Sequence, residues 1–350
     1  MKVAKFGGSS VAGAEQFKKV KAIVEADPER RVVVVSAAGK RNADDHKLTD
    51  LLYLCHAHLN YGVSCSDIFN TIEQRLTEIR DELGLSYDIE SELKELERTL
   101  SKDTPVDLLV SRGEYFTSKL MAEYLGYTFV DAADCVIFSF DGSIDYERSY
   151  ALIAEAAEKY GRIVIPGFYG RVSTGKIKVM TRGGSDITGS LAAVAVNADV
   201  YENWTDVSGI LMADPRIVDN PEPIKKITYA ELRELAFMGA TVLHEESVQP
   251  VREKGIPLNI RNTNRPQDPG TMIVGNIDRE NSDDRFITGI AGRKNFTIIT
   301  LQKHDMHTSH TLRQALEVFE RYHAPIEHIA LGLDSFALVT SSAGLGESIY

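Results

Sequence analysis

The segment of the chain best suited to chemistry is Lys5 to Ser10, which reads Lys-Phe-Gly-Gly-Ser-Ser. Two glycines let the backbone approach a ligand without a Cβ in the way. The helix pattern that follows directs unpaired N–H groups and a partial positive charge at such a ligand, and Lys5 adds a full charge. The segment is neither a Walker A sequence nor G-x-G-x-x-G. We interpret it as a cradle for a phosphate chain; the plain alternative is a tight strand-to-helix turn with Ser10 as N-cap.

A second glycine pair stands in Thr181 to Asp186, Thr-Arg-Gly-Gly-Ser-Asp, directly before an apolar helix pattern. Arg182 is suited to grip a carboxylate through two parallel hydrogen bonds. Asp186 is suited to hold an ammonium or to orient Lys5, and the alternative is a loop in which it caps the helix. Phosphoryl transfer needs charge stabilisation from several sides, so two such turns in one chain favour that chemistry.

Two further segments place polar groups beside predicted elements. Glu114 is either a carboxylate at a helix start, where the helix dipole favours it, or a ligand for a substrate amine. Thr205 to Arg216 follows an apolar strand, and in an open α/β sheet ligands bind beyond the carboxyl ends of strands. This stretch, including Asp206, is either a binding turn for a base, ribose and phosphates or a plain loop with glycine and proline as turn residues.

A set of histidines has a spacing that suggests a metal site: His304, His307, His310, His323 and His328. No cysteine or clear carboxylate partner accompanies them, so we favour surface polar residues near a loop over a metal site.

Alternation of strands and helices must position these groups, and it predicts an α/β layered fold. Continuous apolar runs such as 31–36 suit a parallel sheet that is covered on both faces. Strands are predicted at the N-terminus and at 31–36, 127–130, 162–166, 199–204 and 256–260, a hairpin arm at 177–180, and a helix at 114–125. Apolar residues every three or four positions predict a helical hairpin over 66–101, as part of an insertion at about 60–105.

The C-terminal part predicts a separate module. The polar stretch 275–285 is interpreted as a linker that ends a first domain of residues 1–280. Beyond it, residues 286–350 carry the pattern β-α-β-β, with strands at 296–301, 326–331 and 336–340 and a helix at 311–322. This is the first part of a ferredoxin-like module. Because the pattern stops before its next helix, we expect a truncated module or one completed by a partner chain.

Composition limits the function classes. The chain has 350 residues, 43% of them hydrophobic and 26% charged, and a formal net charge of −12. This balance disfavours a nucleic-acid partner or an anionic membrane surface. The three cysteines show no C-x-x-C spacing, and no secretory or membrane-spanning segment is recognised, so a cytoplasmic protein with reduced thiols is expected.

In combination, these motifs resemble the aspartate kinases of the amino-acid-kinase superfamily. Lys5 to Ser10 matches the opening motif of that family, and Thr181 to Asp186 carries its Arg-Gly-Gly-Ser-Asp. Thr205 to Arg216 is similar to its Thr-Asp-Val-x-Gly-x-x-x-Ala-Asp-Pro-Arg, and residues 238–244 are similar to its Gly-Ala-Lys-Val-Leu-His segment. The resemblance covers nearly the whole chain, in the order of the family.

The resemblance implies a three-layer catalytic domain with an eight-stranded, mainly parallel sheet between helices, followed by ACT-type regulatory modules. It implies a reaction in which ATP and L-aspartate give ADP and 4-phospho-L-aspartate, with Mg²⁺ screening the phosphates. That reaction is the first step towards lysine, threonine and methionine, and in many bacteria towards diaminopimelate. An amino-acid effector, with lysine expected first and threonine second, and a homodimer or higher homo-oligomer through the ACT region are also implied.

The same resemblance implies roles for individual residues. Catalysis is assigned to Lys5, which stabilises the transferring phosphoryl group, and to Asp186, which positions Lys5 and the substrate amine. The implied nucleotide-binding residues are Lys5, Phe6, Gly7, Gly8, Ser9, Thr205, Asp206 and Arg216. The implied substrate-binding residues are Thr49, Glu114, Phe168, Arg182, Gly183, Gly184, Ser185 and Asp186, with Arg182 on the α-carboxylate of aspartate.

Two positions depart from the family pattern on the ATP side. Leu211 stands where the family usually has a tyrosine near the adenine. Thr241 replaces the lysine of Gly-Ala-Lys-Val-Leu-His, which in the family helps to bind ATP, and Lys225 or Lys226 is a candidate to substitute for it. The alternatives are a non-catalytic amino-acid sensor that kept the fold, or a neighbouring kinase acting on glutamate, acetylglutamate or uridylate. The retained site residues argue against the first, and the Arg182 to Asp186 motif together with the ACT-like tail argues against the second.

Overall fold

The structure is a computed structural model that describes residues 1–181, 183–239, 243, 245–277, 287–302 and 308–345. Two compact units divide the chain, Met1–Ile290 and Ala291–Tyr350. Most of the predicted linker, from residue 278 to its end at 285, lies outside the described residues.

The first unit alternates strands and helices along most of its length. Its strands are β1 (Lys2–Phe6), β2 (Arg30–Val35), β3 (Thr128–Phe129), β4 (Ile137–Phe138), β5 (Ile163–Pro166), β6 (Tyr169–Val172), β7 (Ile177–Val179), β8 (Val200–Thr205), β9 (Lys226–Thr228), β10 (Leu258–Asn262) and β11 (Thr271–Val274). Its helices are α1 (Ala14–Glu25), α2 (Leu48–Asn60), α3 (Ser66–Leu83), α4 (Ile89–Thr99), α5 (Val106–Leu125), α6 (Ala132–Cys135), α7 (Tyr146–Tyr160), α8 (Gly184–Ala195), α9 (Tyr229–Phe237) and α10 (Glu245–Glu253).

An eight-stranded sheet organises this unit, in the order β3-β5-β2-β1-β8-β10-β11-β9. Neighbouring strands are parallel except for the antiparallel pair of β10 and β11. A small second sheet, β4-β6-β7, contains the predicted hairpin arm, because β7 pairs antiparallel with β6. The mainly parallel α/β fold predicted from the sequence is confirmed.

Helices cover both faces of the large sheet, and alternation along β1 assigns its side chains to one face or the other. Ala4 and Phe6 belong to a core that includes buried residues of α1, α2, α3, α4 and α5. Val3 belongs to the opposite core, which includes buried residues of α7, α8 and α10. Lys5, two residues after Val3, therefore faces the side of the sheet that α8 covers.

The predicted helical hairpin over 66–101 is present as α3 and α4, and α3 is followed by Gly84, whose φ of 65° is the left-handed conformation that favours glycine. One helix boundary was predicted wrongly. The helix expected at 114–125 begins eight residues earlier, at Val106. Pro105 precedes its first turn, where a missing N–H costs little, and the buried Leu109 and Val110 extend the apolar side towards the N-terminus.

The second unit contains β12 (Phe296–Gln302), α11 (Thr308–Arg321), β13 (His328–Leu331) and β14 (Ser335–Ser341). Its antiparallel sheet has the order β12-β14-β13, so the predicted β-α-β-β pattern is confirmed. A small core forms around Phe319, Phe336 and Leu338. Among the described residues of the whole chain, no helix is long and apolar enough to cross a membrane.

Candidate active site

Strand β1 lies at the point where the strand order of the sheet reverses, with β2 on one side and β8 on the other. At such a point the two following connections leave in opposite directions, and a crevice opens beyond the carboxyl ends of the strands. Lys5 and the first glycine turn stand at this end of β1, and Thr205 ends β8 beside them. Two of the predicted site segments therefore meet at this end of the sheet.

A buried ion pair lies at the centre of this end of the sheet. The Nζ atom of Lys5 is 2.6 Å from Oδ1 of Asp186, and the side chains are only 9% and 17% exposed. Asn203, the neighbour of Lys5 in the β1–β8 register, donates from Nδ2 to the same Oδ1 at 2.9 Å. It also accepts from Lys5 Nζ at 3.4 Å. The lysine is thus held by one carboxylate and one amide, and Asn203 fixes the orientation of both.

The first glycine turn is held against the strand ends by backbone contacts. Gly7 N–H donates to the carbonyl of Trp204 at 3.0 Å, and a short 3₁₀ helix follows at Gly8–Val11. The interpretation of Ser10 as an N-cap is wrong, because α1 begins only at Ala14. The Ser10 hydroxyl is instead 2.7 Å from the hydroxyl of Thr263. The Phe6 ring packs on Trp204 on the far face of the sheet, so only the backbone of Phe6 borders the turn.

The second glycine pair forms the N-terminus of α8. Gly183, with φ 60°, precedes the helix and Gly184 is its first residue. A Cβ on Gly184 would lie 2.8 Å from Cα of Phe168, so this position has no room for a side chain. The alternative of Asp186 as the cap is wrong, because Asp186 lies within the first turn and α8 has no side-chain cap. Arg182 lies outside the described residues.

The segment Gly167–Phe168 packs on this helix start from the other side. Phe168 has a φ of 77°, which is uncommon for a non-glycine residue, and strained conformations of this kind cluster at functional sites. Its N–H donates to the hydroxyl of Thr188 at 3.2 Å. A Cβ on Gly167 would lie 2.6 Å from the side chain of Ser185. Phe168, Gly184 and Ser185 are therefore neighbours, as their common assignment to a substrate pocket requires.

The interpretation of Glu114 as a carboxylate at a helix start is wrong. It lies in the middle of α5 and is 4% exposed. Burial raises the pKa of its carboxyl group to about 8, although the group accepts a hydrogen bond from the N–H of Ala37. Its second oxygen, Oε2, has no partner among the described residues. A buried carboxyl with an open oxygen is a group that gains most from an incoming cation.

The loop between β2 and α2, residues 36–47, connects Glu114 to the first glycine turn. Ala37 N–H reaches Glu114, and Ala38 N–H donates to the hydroxyl of Thr117 at 3.2 Å. Gly39 N–H donates to the carbonyl of Gly8 at 2.9 Å. Thr49 follows this loop as the second residue of α2, and its methyl group would lie 3.7 Å from a Cβ on Gly113, next to Glu114.

The predicted nucleotide side is more exposed. The Thr205 hydroxyl donates to the carboxylate of Asp206 at 3.1 Å, and Asp206 lies on the surface. Arg216 is 86% exposed and pairs with Asp214 in its own loop at 2.7 Å, which is the only ion pair described for it. Leu211 is 37% exposed. Thr241 lies outside the described residues.

The described residues contain no group of three or more histidine, cysteine, aspartate or glutamate side chains that could hold a metal ion. Of the histidines discussed above, His304 and His307 lie outside the described part of the chain. His310 lies in α11 and His328 on β13.

Sequence reasoning missed three residues that the geometry connects to the site: Asn203, Gly39 and Arg75. Asn203 had a detectable signal, because consecutive polar residues are unusual in the middle of a buried central strand. Gly39 and Arg75 had none. Their importance depends on contacts between segments that are far apart in the sequence.

Comparison with known proteins agrees with this geometry. The model of the amino acid kinase family matches residues 1–262. That match covers most of the first unit, including every predicted site residue. The chain therefore belongs to the amino acid kinase family.

Individual relatives are aspartokinases. Aspartokinase 3 from Bacillus subtilis (strain 168) is 36% identical over 354 residues, covering 97% of this chain and 77% of that protein. The crystal structure of aspartate kinase from Clostridium acetobutylicum, described as an allosteric enzyme, is 46% identical with a TM-score of 0.89, covering 99% of this chain and 79% of that chain. These similarities confirm the resemblance to aspartate kinases that the motifs indicated.

Two crystal structures of aspartokinase III from Escherichia coli also match. One, in complex with aspartate and ADP in the R-state, is 26% identical with a TM-score of 0.74, covering 98% of this chain and 79% of that chain. The other, in complex with lysine and aspartate in the T-state, is 27% identical with a TM-score of 0.76, covering 98% and 80%.

The raised pKa of Glu114 predicts a pH-dependent stability. A carboxyl whose pKa is about 8 in the folded state and 4.5 in the unfolded state stabilises the fold below pH 4.5 and loses that contribution as the pH rises through 8. Between pH 5.5 and 8.5 the free energy of unfolding of the wild type should therefore fall by about 3 kcal/mol relative to that of Glu114→Gln, which cannot ionise at this position. Urea unfolding of both proteins at the two pH values measures this difference.

Glu123→Gln is the matched control on the same helix. Although partial burial opposes it, hydrogen bonds from Ser86 and Tyr87 lower the pKa of Glu123. The contribution of Glu123 to the free energy of unfolding is therefore complete above pH 4.5. The difference in free energy of unfolding between Glu123→Gln and the wild type should stay constant from pH 5.5 to 8.5. A constant offset for Glu114→Gln as well would mean that Glu114 is ionised in the free protein.

Proposed function

We propose that this aspartate kinase transfers the γ-phosphoryl group of ATP to the side-chain carboxylate of L-aspartate, giving ADP and 4-phospho-L-aspartate. The observation that carries the proposal is the buried contact between Lys5 and Asp186, beside the glycine turn at the carboxyl end of β1. A fixed cation at this place suits a phosphoryl group in transfer, and the aspartokinase relatives support the class of reaction.

The reaction needs alignment and charge neutralisation more than proton transfer. The acceptor carboxylate is already ionised at neutral pH, so no general base has to activate it. The difficulty is repulsion between that carboxylate and the γ-phosphate, which must lie in line. Lys5 offsets negative charge on the transferring group, and Asp186 and Asn203 hold its ammonium in one position before the substrates arrive. The N-terminus of α8 adds a partial positive charge nearby.

Glu114 is the proposed partner of the substrate ammonium. In the free protein its buried carboxyl is neutral up to about pH 8. A bound ammonium stabilises the ionised form, so the charge appears only when its partner is present. Thr49 and Phe168 border the proposed aspartate pocket, and Arg182 is proposed to bind the α-carboxylate.

ATP is proposed to lie with its phosphates on Gly7, Gly8 and Ser9, and with its nucleoside near Thr205 and Asp206. The glycine turn fits this role because neither glycine carries a side chain that would keep phosphates away from the backbone, although the Gly7 N–H itself is donated to Trp204. Mg²⁺ is the proposed counter-ion, bound mostly by phosphate oxygens and water, as this ion commonly is. It would reduce the repulsion between ATP and the acceptor.

A coupled assay of ADP release tests the activity and the acceptor together. With ATP and Mg²⁺, we expect turnover in the presence of L-aspartate at least about 100-fold above the rates with L-glutamate or without an acceptor, because one extra methylene displaces the carboxylate from in-line geometry. An acceptor-independent rate equal to that with aspartate would contradict the proposal. Equal rates with glutamate would assign the chain to a broader acceptor class.

Lys5→Ala and Asp186→Ala should each lower kcat about 10³-fold while the protein stays folded, since each removes part of one electrostatic unit. Because the two residues act together, the double variant should be little slower than the slower single variant. Lys18→Ala is the control, because Lys18 forms an exposed pair with Glu15 on α1. Near-wild-type kcat in either site variant, measured on protein with an unchanged circular dichroism spectrum, would refute the assigned roles.

We also propose that an amino-acid effector, first of all lysine, inhibits the enzyme through the second unit. The β-α-β-β fold of that unit and the lysine complex of the Escherichia coli relative support this regulation. The proposal includes a homodimer or higher homo-oligomer formed through this unit. The loop between β12 and α11, where the effector is expected to bind, lies outside the described residues.

Adding lysine, threonine or both to the aspartate assay tests the regulation. We expect lysine at millimolar concentration to reduce the rate severalfold and threonine to act less, or to act only together with lysine. No change in rate with any combination, at aspartate concentrations near KM, would exclude regulation by these two amino acids in this chain.

A further inference from the structure

A buried arginine of the helical insertion reaches out of that insertion towards the site. Arg75 lies on α3 and is 3% exposed. Its Nη2 donates to the carbonyl of Gly39 at 2.6 Å, and its Nη1 donates to the carbonyl of His46. Both acceptors belong to the loop between β2 and α2. Arginine is suited to this task because its rigid planar fork presents several donors in fixed directions.

The loop end that Arg75 holds is in direct contact with the first glycine turn. Gly39 donates its N–H to the Gly8 carbonyl, and its own carbonyl accepts from Arg75. A Cβ on Gly39 would lie 2.6 Å from the carbonyl carbon of Gly8 and 2.9 Å from the nitrogen of Ser9. The two backbones therefore touch without space between them. A movement of Gly39 would therefore shift the backbone of Gly8, which is proposed to contact the phosphates.

Charged groups of α3 fix the remainder of the same loop. Asp45 lies 3.4 Å from Arg75 and 2.9 Å from Arg41, which also reaches Glu78 of α3 at 2.8 Å. Although burial opposes ionisation, hydrogen bonds from Arg41 hold the pKa of Asp45 well below its usual range. The loop is thus attached to α3 through two arginines and a carboxylate that is ionised at all physiological pH values.

The described hydrogen bonds of Arg75 all end on this one loop, and none joins it to a side chain of the core. A buried guanidinium is costly to desolvate, and burial lowers the pKa of Arg75. Its contacts therefore specify the position of the loop more than they add to the general stability of the unit. The opposite side of the loop is held independently, by α5 through Thr117 and Glu114.

We propose that Arg75 is a positioning residue for phosphoryl transfer: it holds Gly39 against Gly8, and so fixes the glycine turn for ATP. The inference rests on the proposed function and adds to it a role for the helical insertion. Because the contact reaches the phosphate side of the site, its loss should affect ATP more than aspartate.

Arg75→Met tests this inference, since methionine keeps an unbranched side chain and removes the donors. We expect KM for ATP to rise about tenfold and kcat to fall several-fold, with KM for aspartate changing less than threefold. Hydrogen–deuterium exchange of peptides covering 36–47 should be faster than in the wild type. Arg80→Met is the matched control on the same helix, because Arg80 pairs only with Asp81 and Glu90 among the described residues. It should change neither KM nor exchange in that loop.

The outcomes separate this inference from the proposed function. If the wild type shows no aspartate-dependent turnover, the proposed function fails first. If the wild type is active and folded Arg75→Met keeps KM for ATP and loop exchange within twofold of Arg80→Met, the positioning role is refuted. If Arg75→Met does not fold, Gly39→Ala tests the same contact from the loop side, where an added Cβ must push Gly8. It should raise KM for ATP selectively, and an unchanged KM would overturn the inference.

Discussion

The contact between the Lys5 ammonium and the Asp186 carboxylate is the constraint on which the rest of the first unit depends. An ammonium at the end of a buried central strand is costly to remove from water and needs a partner with good geometry. That partner stands on the first turn of α8, which must therefore cover the same face of the sheet that Val3 and Lys5 face. Gly184, which has no room for a Cβ, lets this helix begin in close contact with Phe168, just beyond the end of β5.

Much of this arrangement could be predicted from the sequence because the signals are local. Glycine pairs beside charged residues, at changes between strand and helix patterns, indicated both turns, and apolar runs indicated the parallel sheet. Local signals gave wrong predictions where the apolar pattern of a helix was interrupted or where a side chain contacts a distant segment. Glu114 looked like a helix start because the polar residues directly before it interrupt the apolar pattern. The first two turns of α5 precede that interruption and include the buried Leu109 and Val110. The sequence likewise suggested Ser10 as a cap, whereas its hydroxyl contacts Thr263, 253 positions away.

Contacts between distant segments explain what could not be predicted. The loop of residues 36–47 has no motif of its own, yet it touches Gly8 on one side, α5 on a second and α3 on a third. Its composition is that of an ordinary polar connection. Only the fold shows that Gly39 must lack a side chain and that Arg75 has a reason to be buried. A helical insertion with an ordinary amphipathic pattern is thereby joined, through Gly39, to the first glycine turn.

The buried groups at the centre of the candidate site carry no net charge before any substrate binds. Lys5 and Asp186 form a pair without net charge, and Glu114 is neutral up to about pH 8. This balance matters in a chain with a net charge of −12, which repels anions at long range. In the proposed function the pair offers ATP an ammonium in a fixed position, because the Asp186 carboxylate on α8 and the Asn203 amide both hold it. In the proposed function the substrate ammonium stabilises the ionised form of Glu114, so this buried charge forms only beside its partner.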